Sequence, residues 1–206
     1  MRKTKPALVY WLEESLYLNI TNKCSNNCYF CLRNFVDGIA NFKLKLDREP
    51  EPKEVIKQLI NYISRRHWKE IVFCGFGEPT ANLNCLLKVA KWIRKHYSMP
   101  IRVDTNGHGY LLNPNRKVVE ELYHAGVTHV SVSLNAPDKE TYNKICRPFF
   151  QDAFNEALHF IEKAKELLKV EITAVRIPEL NVEEMKRLAE SLGVPLRIRK
   201  YLQFSY

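Results

Sequence analysis

The chain of 206 residues has no apolar run approaching the roughly 20 residues that cross a bilayer, so no transmembrane helix or membrane partner is expected. It also lacks the apolar region of a signal peptide. Behind the basic start Met1-Arg2-Lys3-Thr4-Lys5-Pro6, the stretch from Ala7 to Leu12 is stopped by Glu13 and Glu14. Export is therefore not expected, and a cytoplasmic location is. No solenoid repeat, low-complexity tract or linker occurs, which argues against an array or a disordered tail. The six histidines form no H-x3-H pair. No basic-aromatic stripe marks an RNA-binding surface.

What is present is a globular composition, 46% hydrophobic and 27% charged, in a length suited to one domain over residues 1–206. Lys and Arg number 32 against 23 Asp and Glu, a net charge of +9 that favours anionic partners such as nucleotides, phosphorylated metabolites or tRNA. The basic residues are widely spread, so most read as solvated surface. Six cysteines in a chain this long, with no export signal, read as metal ligands or buried thiols rather than disulfides.

Strand-like and helix-like segments alternate, which predicts βα units and a parallel sheet. Leu8 to Leu12 and Ser15 to Thr21 form a small hairpin, an N-terminal β extension over residues 1–14 leading into the first main strand. Further strands are predicted at Ile71–Gly75, Ile101–Asp104, His129–Leu134, Val170–Ile177 and Leu196–Leu202. Helices are predicted from Pro52 with Val55, Leu59 and Ile63, around Leu83 to Ile93, around Val118 to Leu122, from Phe154 to Leu168, and over Val182 to Leu192. Six strands and five intervening helices suit an α/β fold: a partial (β/α)6 TIM-like barrel with a parallel sheet, with a flavodoxin-like doubly wound sheet as the alternative. Both bind ligands at the C-terminal ends of the strands.

The loop from residue 22 to 52 is long for a compact domain and holds Cys24-Ser-Asn-Asn-Cys28-Tyr-Phe-Cys31, a C-x3-C-x2-C triplet. A structural zinc site takes four protein ligands, and none follows before His67 and Cys74. A four-iron, four-sulfur (4Fe-4S) cluster held by three cysteines leaves one iron open, which points to catalysis. A zinc knuckle or three buried thiols are the competing readings.

The triplet, with Phe30 before its last cysteine, resembles the signature of radical S-adenosylmethionine (SAM) enzymes. Within that superfamily the small TatD-associated radical SAM group is the nearest likeness. It is carried by Tyr17 to Cys24, Cys31 to Asn34, Phe73 to Thr80, Asp104 to Gly107 and Ser131 to Pro137. The resemblance implies a single radical SAM core domain, with a 4Fe-4S cluster on Cys24, Cys28 and Cys31. It also implies SAM on the open iron, cleaved by reduction to a 5′-deoxyadenosyl radical that abstracts hydrogen from substrate. A reductant such as a ferredoxin or flavodoxin is implied as partner.

The second strand ends in Cys74-Gly75-Phe76-Gly77-Glu78-Pro79-Thr80. Glycines there admit close backbone approach, and Glu78 can accept from an ammonium group. The segment resembles the superfamily's GGEP motif, which binds the SAM amino group, with Phe76 in place of the first glycine. The resemblance extends the SAM site to Phe30, Gly77 and Pro79, to Asp104 and Asn106, and to Ser133 and Asn135. Turn and capping chemistry is the plainer reading of those short polar residues. Arg33, Asn34, Arg176 and Arg199 are candidate substrate contacts, the arginines as clamps for a carboxylate or phosphate. The alternative is an edge strand with its charges in water, the preferred reading for Arg197. Cys74, Cys85 and Cys146 read as buried structural thiols. Competing functions are a small nucleoside- or tRNA-modifying enzyme similar to carboxy-deazaguanine synthase, a noncatalytic zinc- or RNA-binding module, and a cluster protein used only for electron transfer.

Overall fold

The computed structural model describes residues 5–202; Met1 to Thr4, with the basic Arg2 and Lys3, and the last four positions lie outside the described residues. Strand β1 (Val9–Leu12) forms an antiparallel hairpin with β2 (Ser15–Leu18). The long loop is not featureless. It holds a short 3-10 turn at Leu32–Asn34 and a two-stranded ribbon, β3 (Gly38–Ile39) with β4 (Phe42–Lys43). Helix α1 (Pro52–Ile63) follows, started by Pro52 and by a reciprocal capping pair between Glu51 and Glu54. Then come β5 (Glu70–Phe73), α2 (Leu83–His96), β6 (Ile101–Thr105), the single turn α3 (Gly109–Leu112), α4 (Val118–His124) and β7 (His129–Ser133). The chain continues with α5 (Lys139–Cys146), α6 (Ala153–Lys165), β8 (Lys169–Val175), α7 (Val182–Leu192) and β9 (Leu196–Arg199).

The main sheet runs β1-β2-β5-β6-β7-β8-β9, parallel from β2 onward. Six parallel strands in chain order, with no pairing between the two ends among the described residues, make an open half-barrel. Right-handed crossovers, the near-universal hand for parallel strands, put the helices on one face. The outer row Leu18, Phe73, Val103 and Val130 is aligned by register and at most 1% exposed. The next residues along each strand turn to the inner face, where Arg102, Asp104, Ser131, Ser133, Glu171, Arg197 and Arg199 line the lumen.

Several expectations need correction. The segment between β7 and β8 carries two helices, not one, because Asp138 caps a separate helix α5 by accepting from the Thr141 N–H. Helix α6 ends at Lys165, three residues before the predicted Leu168. The first and last main strands are also shorter than predicted, ending at Leu18 and Arg199. No helix among the described residues is long and apolar enough to cross a membrane.

Candidate active site at the mouth of the half-barrel

The cysteine loop leaves β2 at the C-terminal end of the sheet and is tied down from three directions. Asn19 donates from its side chain to the Leu44 carbonyl at 2.7 Å, and Asn22 grips both backbone groups of Leu46, at 2.7 and 3.1 Å. The loop backbone docks on the end of α5. Asn27 N–H donates to the Cys146 carbonyl at 3.0 Å, Phe149 N–H donates to the Ser25 carbonyl at 2.9 Å, and Asn26 bridges to Pro148. Within the loop, Arg33 donates to the Asn26 carbonyl at 2.6 Å and Asn34 to the Cys28 carbonyl at 2.9 Å. Both were candidate substrate contacts; here their donors hold the loop's own backbone.

Cys24, Cys28 and Cys31 are free thiols, each half-buried. Cys24 accepts from the Asn26 backbone N–H at 3.4 Å and from the Asn106 side-chain amide at 3.8 Å. Burial pushes its thiol up to about 12 and also raises Cys31. Cys28 is held below its ordinary value by a hydrogen bond with the thiol of Cys146. Cys146 is fully buried, as expected, but its contact with Cys28 bridges 118 residues of sequence and had no local signal. Phe30 is buried beside them, edge-on to Tyr29.

The strand ends around the loop are locked to one another. A side chain at Gly77 would meet the Thr21 and Lys23 carbonyls at 2.4 and 2.6 Å, so only glycine lets β5 pass the start of the loop. Glu78, 3% exposed, is the hub of this region. One carboxylate oxygen accepts from Thr80 N–H at 3.0 Å and from the Thr80 and Thr105 hydroxyls at 2.8 Å; the other accepts from Asn106 N–H at 2.6 Å. Burial raises its carboxyl while these donors oppose the rise. Its role in this structure is to join β5 to β6, with Pro79 buried behind it. Asn135, in left-handed backbone (φ 62°), ties the end of β7 to β8 through Val175 N–H at 3.1 Å.

Inside the lumen the arginines divide. Arg102 pairs with Glu70 and Asp104, both at 3.0 Å, and Arg197 pairs with Glu171 at 2.6 Å. Arg197 stays exposed on the last strand, as expected, and its charge is paired there with Glu171. Arg199 donates to the Ser133 hydroxyl at 3.3 Å, and its buried Nε has no partner. Arg176 is exposed, beside a surface cavity with Lys200 and Tyr201, and is not part of the lumen. Cys74 shares a hydrogen bond with Asp104.

One buried chain of groups went unread in the sequence. The Asn106 amide donates to the Ser25 hydroxyl at 2.8 Å; Ser25 meets His108 Nδ1 at 2.8 Å; His108 Nε2 meets the Tyr142 hydroxyl at 2.9 Å; and the Asn26 amide donates to that hydroxyl at 2.9 Å. His108 and Tyr142 are both 0% exposed. Nothing in sequence spacing links residues 25, 108 and 142.

Residues 18–192 match the sequence pattern of the Radical SAM superfamily. The chain belongs to the radical SAM superfamily. A protein of Pyrococcus abyssi named "Probable GTP 3′,8-cyclase" is 28% identical over 181 residues, 87% of this chain and 53% of that one. The chain spans about half the length of the curated relatives it matches. Methylornithine synthase (PylB) superposes with a TM-score of 0.63 at 15% identity, over 91% of this chain and 53% of PylB. Streptococcus suis SuiB bound to its precursor peptide SuiA superposes with a TM-score of 0.62 at 15% identity, over 92% of this chain and 39% of SuiB. These likenesses establish the half-barrel of radical SAM enzymes as the fold.

The superfamily uses a 4Fe-4S cluster and SAM, and the residues here fit both. Three thiols on one loop can each take a different iron of a cubane cluster, so their sulfurs need not surround one point as zinc requires. Among the described residues, no three His, Cys, Asp or Glu side chains surround a single ion site. Beside the three thiols the lumen presents the Asp104 carboxylate and the Ser133 hydroxyl, acceptors for a ligand that carries cationic groups, as SAM does.

Proposed function

We propose that this radical SAM enzyme holds its cluster on Cys24, Cys28 and Cys31 and cleaves SAM reductively to abstract hydrogen from a small anionic substrate in the lumen. The observation that carries the reading is the placement of three free thiols, with no fourth ligand in their motif, at the mouth of an open half-barrel whose inner face is polar. When bound, the cluster supplies the electron and SAM the 5′-deoxyadenosyl radical. The chain supplies position and exclusion of water, which would otherwise intercept a reactive intermediate.

Phe30, Gly77, Pro79, Asp104 and Ser133 border the space for SAM, while Glu78, Asn106 and Asn135 act through the backbone they fix. Arg199 takes the substrate anion, because its Nε alone among the lumen arginines' named donors is buried without a partner. Free cysteines throughout suit a reducing compartment, and the cytoplasm is the location we assign. A reductant of the ferredoxin or flavodoxin kind completes the system. Relatives named GTP 3′,8-cyclase and the net charge of +9 favour a second, narrower reading in which the substrate is a nucleotide.

Anaerobic cluster reconstitution followed by SAM and dithionite tests the first reading, with 5′-deoxyadenosine quantified against Cys28→Ala. Product that requires Cys28 supports it; zinc in place of iron rejects it. Repeating the assay with GTP separates the second. Consumption of GTP that falls at least tenfold in Arg199→Gln, with SAM binding retained, supports a nucleotide anion at Arg199; intact GTP removes that substrate.

A further inference from the structure

The buried chain of groups behind the cysteine loop has a form that loop anchoring alone does not require. The backbone bonds to Cys146, Ile145 and Pro148 already dock the loop on α5. The side-chain network instead ends on a sulfur: the Asn106 amide has two hydrogens, one for Ser25 Oγ at 2.8 Å and one for Cys24 Sγ at 3.8 Å. The orientation of that amide is set from both sides. Its oxygen accepts from His108 N–H at 3.0 Å, and its nitrogen is drawn to Ser25. Ser25 is fixed in turn by the His108 ring, which Tyr142 and Asn26 hold from the other side.

The hydrogens can be counted. Ser25 and Tyr142 each accept one amide hydrogen and each carry one of their own. A neutral imidazole has one N–H and one lone-pair nitrogen, so it matches one hydroxyl as donor and the other as acceptor. A protonated ring would present two donors. Burial, the first cause, holds His108 down at about 4, so the ring is neutral at ordinary pH, with the Ala153 carbonyl also beside it. Among the described residues, Tyr142 is the titratable side chain within hydrogen-bond distance of the ring.

We propose that the buried chain Asn106–Ser25–His108–Tyr142–Asn26 is a positioning network that aims an amide N–H at the Cys24 sulfur and thereby sets the reduction potential of the cluster. The inference rests on the cluster reading of the three cysteines. Hydrogen bonds to ligating sulfur stabilise the more negative, reduced state, so each donor raises the potential. The effect falls along the chain, from Asn106, which touches the sulfur, through Ser25 to His108, which acts through both.

The test is a redox titration of the anaerobically reconstituted protein, followed by the electron paramagnetic resonance signal of the reduced cluster, with iron per chain and thermal midpoint measured in parallel. Asn106→Leu is expected to shift the reduced-to-oxidised ratio at the wild-type midpoint about tenfold toward oxidised, which is ~59 mV for one electron. Ser25→Ala, the mildest change in volume, shifts it in the same direction by less, and His108→Phe by less again. His108→Asn, whose amide falls near the Nδ1 position, restores the wild-type potential, whereas His108→Gln, which reaches the Nε2 position, does not. Loss of iron from His108→Phe with retention in His108→Asn also supports the network. Full clusters at the wild-type potential in Ser25→Ala, Asn106→Leu and His108→Phe overturn the inference while leaving the cluster reading intact. A wild-type chain that takes up no iron overturns both.

Discussion

At the lower end of the sheet's inner face, Glu70, Arg102, Glu171 and Arg197 line a cavity of about 490 Å³, and ion pairs join Arg102 to Glu70 and Asp104 and Arg197 to Glu171. At the mouth, the network nearest the cysteines is made of Asn26, Ser25, Asn106, His108 and Tyr142, all neutral. The difference is one of electrostatic purpose. The lower lumen sets three carboxylates against two arginines, and the pairs hold the strands together. At the mouth the neutral dipoles sit beside two charges of opposite sign, Glu78 and Arg33, which both act on Cys24. Arg199 stands between the two regions, and its charge acts on Asp104, Cys28 and Cys31.

Substitution in the lower lumen gives the largest expected effect. Arg102→Leu leaves Glu70 and Asp104 without their shared partner and should cost about 3–5 kcal/mol in a urea denaturation experiment. A loss below 1 kcal/mol would show that water enters the lower lumen freely and that the pairs there behave as surface pairs.

The mouth should respond to acid instead. His108 has a folded-state value of about 4 against 6.5 unperturbed, so the unfolded chain takes up the proton first as pH falls. Its stability contribution is therefore complete above about 6.5 and is lost as pH falls toward 4, by roughly 3 kcal/mol at the limit. Chemical denaturation of wild type and His108→Phe at pH 7 and pH 4.5 checks this. The two should lose different amounts, the wild type more; equal losses would remove His108 as the acid-sensitive group.

The smallest effect belongs to the rim. Lys23 meets Glu49 at 3.1 Å beside the cysteine loop, but the lysine side chain is 71% exposed. Lys23→Ala should change stability by less than about 1 kcal/mol, and 0.5 M salt should erase the difference.

The half-barrel was legible because its parallel strands are short apolar runs separated by strongly periodic helices, a pattern set by burial on the sheet's outer face. Helix α5 was not, because its eight residues bury only Tyr142, Ile145 and Cys146. The ribbon of β3 and β4 is two residues per strand, below any periodicity. At the site, the cysteines announced themselves through spacing. The partners of Glu78 did not, since Thr105 and Asn106 reach it only because β6 lies beside β5. A carboxylate that reads in sequence as a free acceptor is, in the fold, a clamp between two strands. The Ser25, His108 and Tyr142 contacts are likewise products of tertiary packing across more than a hundred residues.

The bridge between Asn26 and Pro148 also carries a consequence for biosynthesis. Strands β2, β5, β6, β7, β8 and β9 join the main sheet in the order in which they are made, so each new unit docks on a finished neighbour as the chain grows. The cysteine loop is the exception. Its residues are synthesised before α5, and the backbone partners that shape it, at Ile145, Cys146 and Pro148, emerge about 120 residues later. During synthesis the three thiols are thus carried on a loop that lacks those partners until α5 has formed.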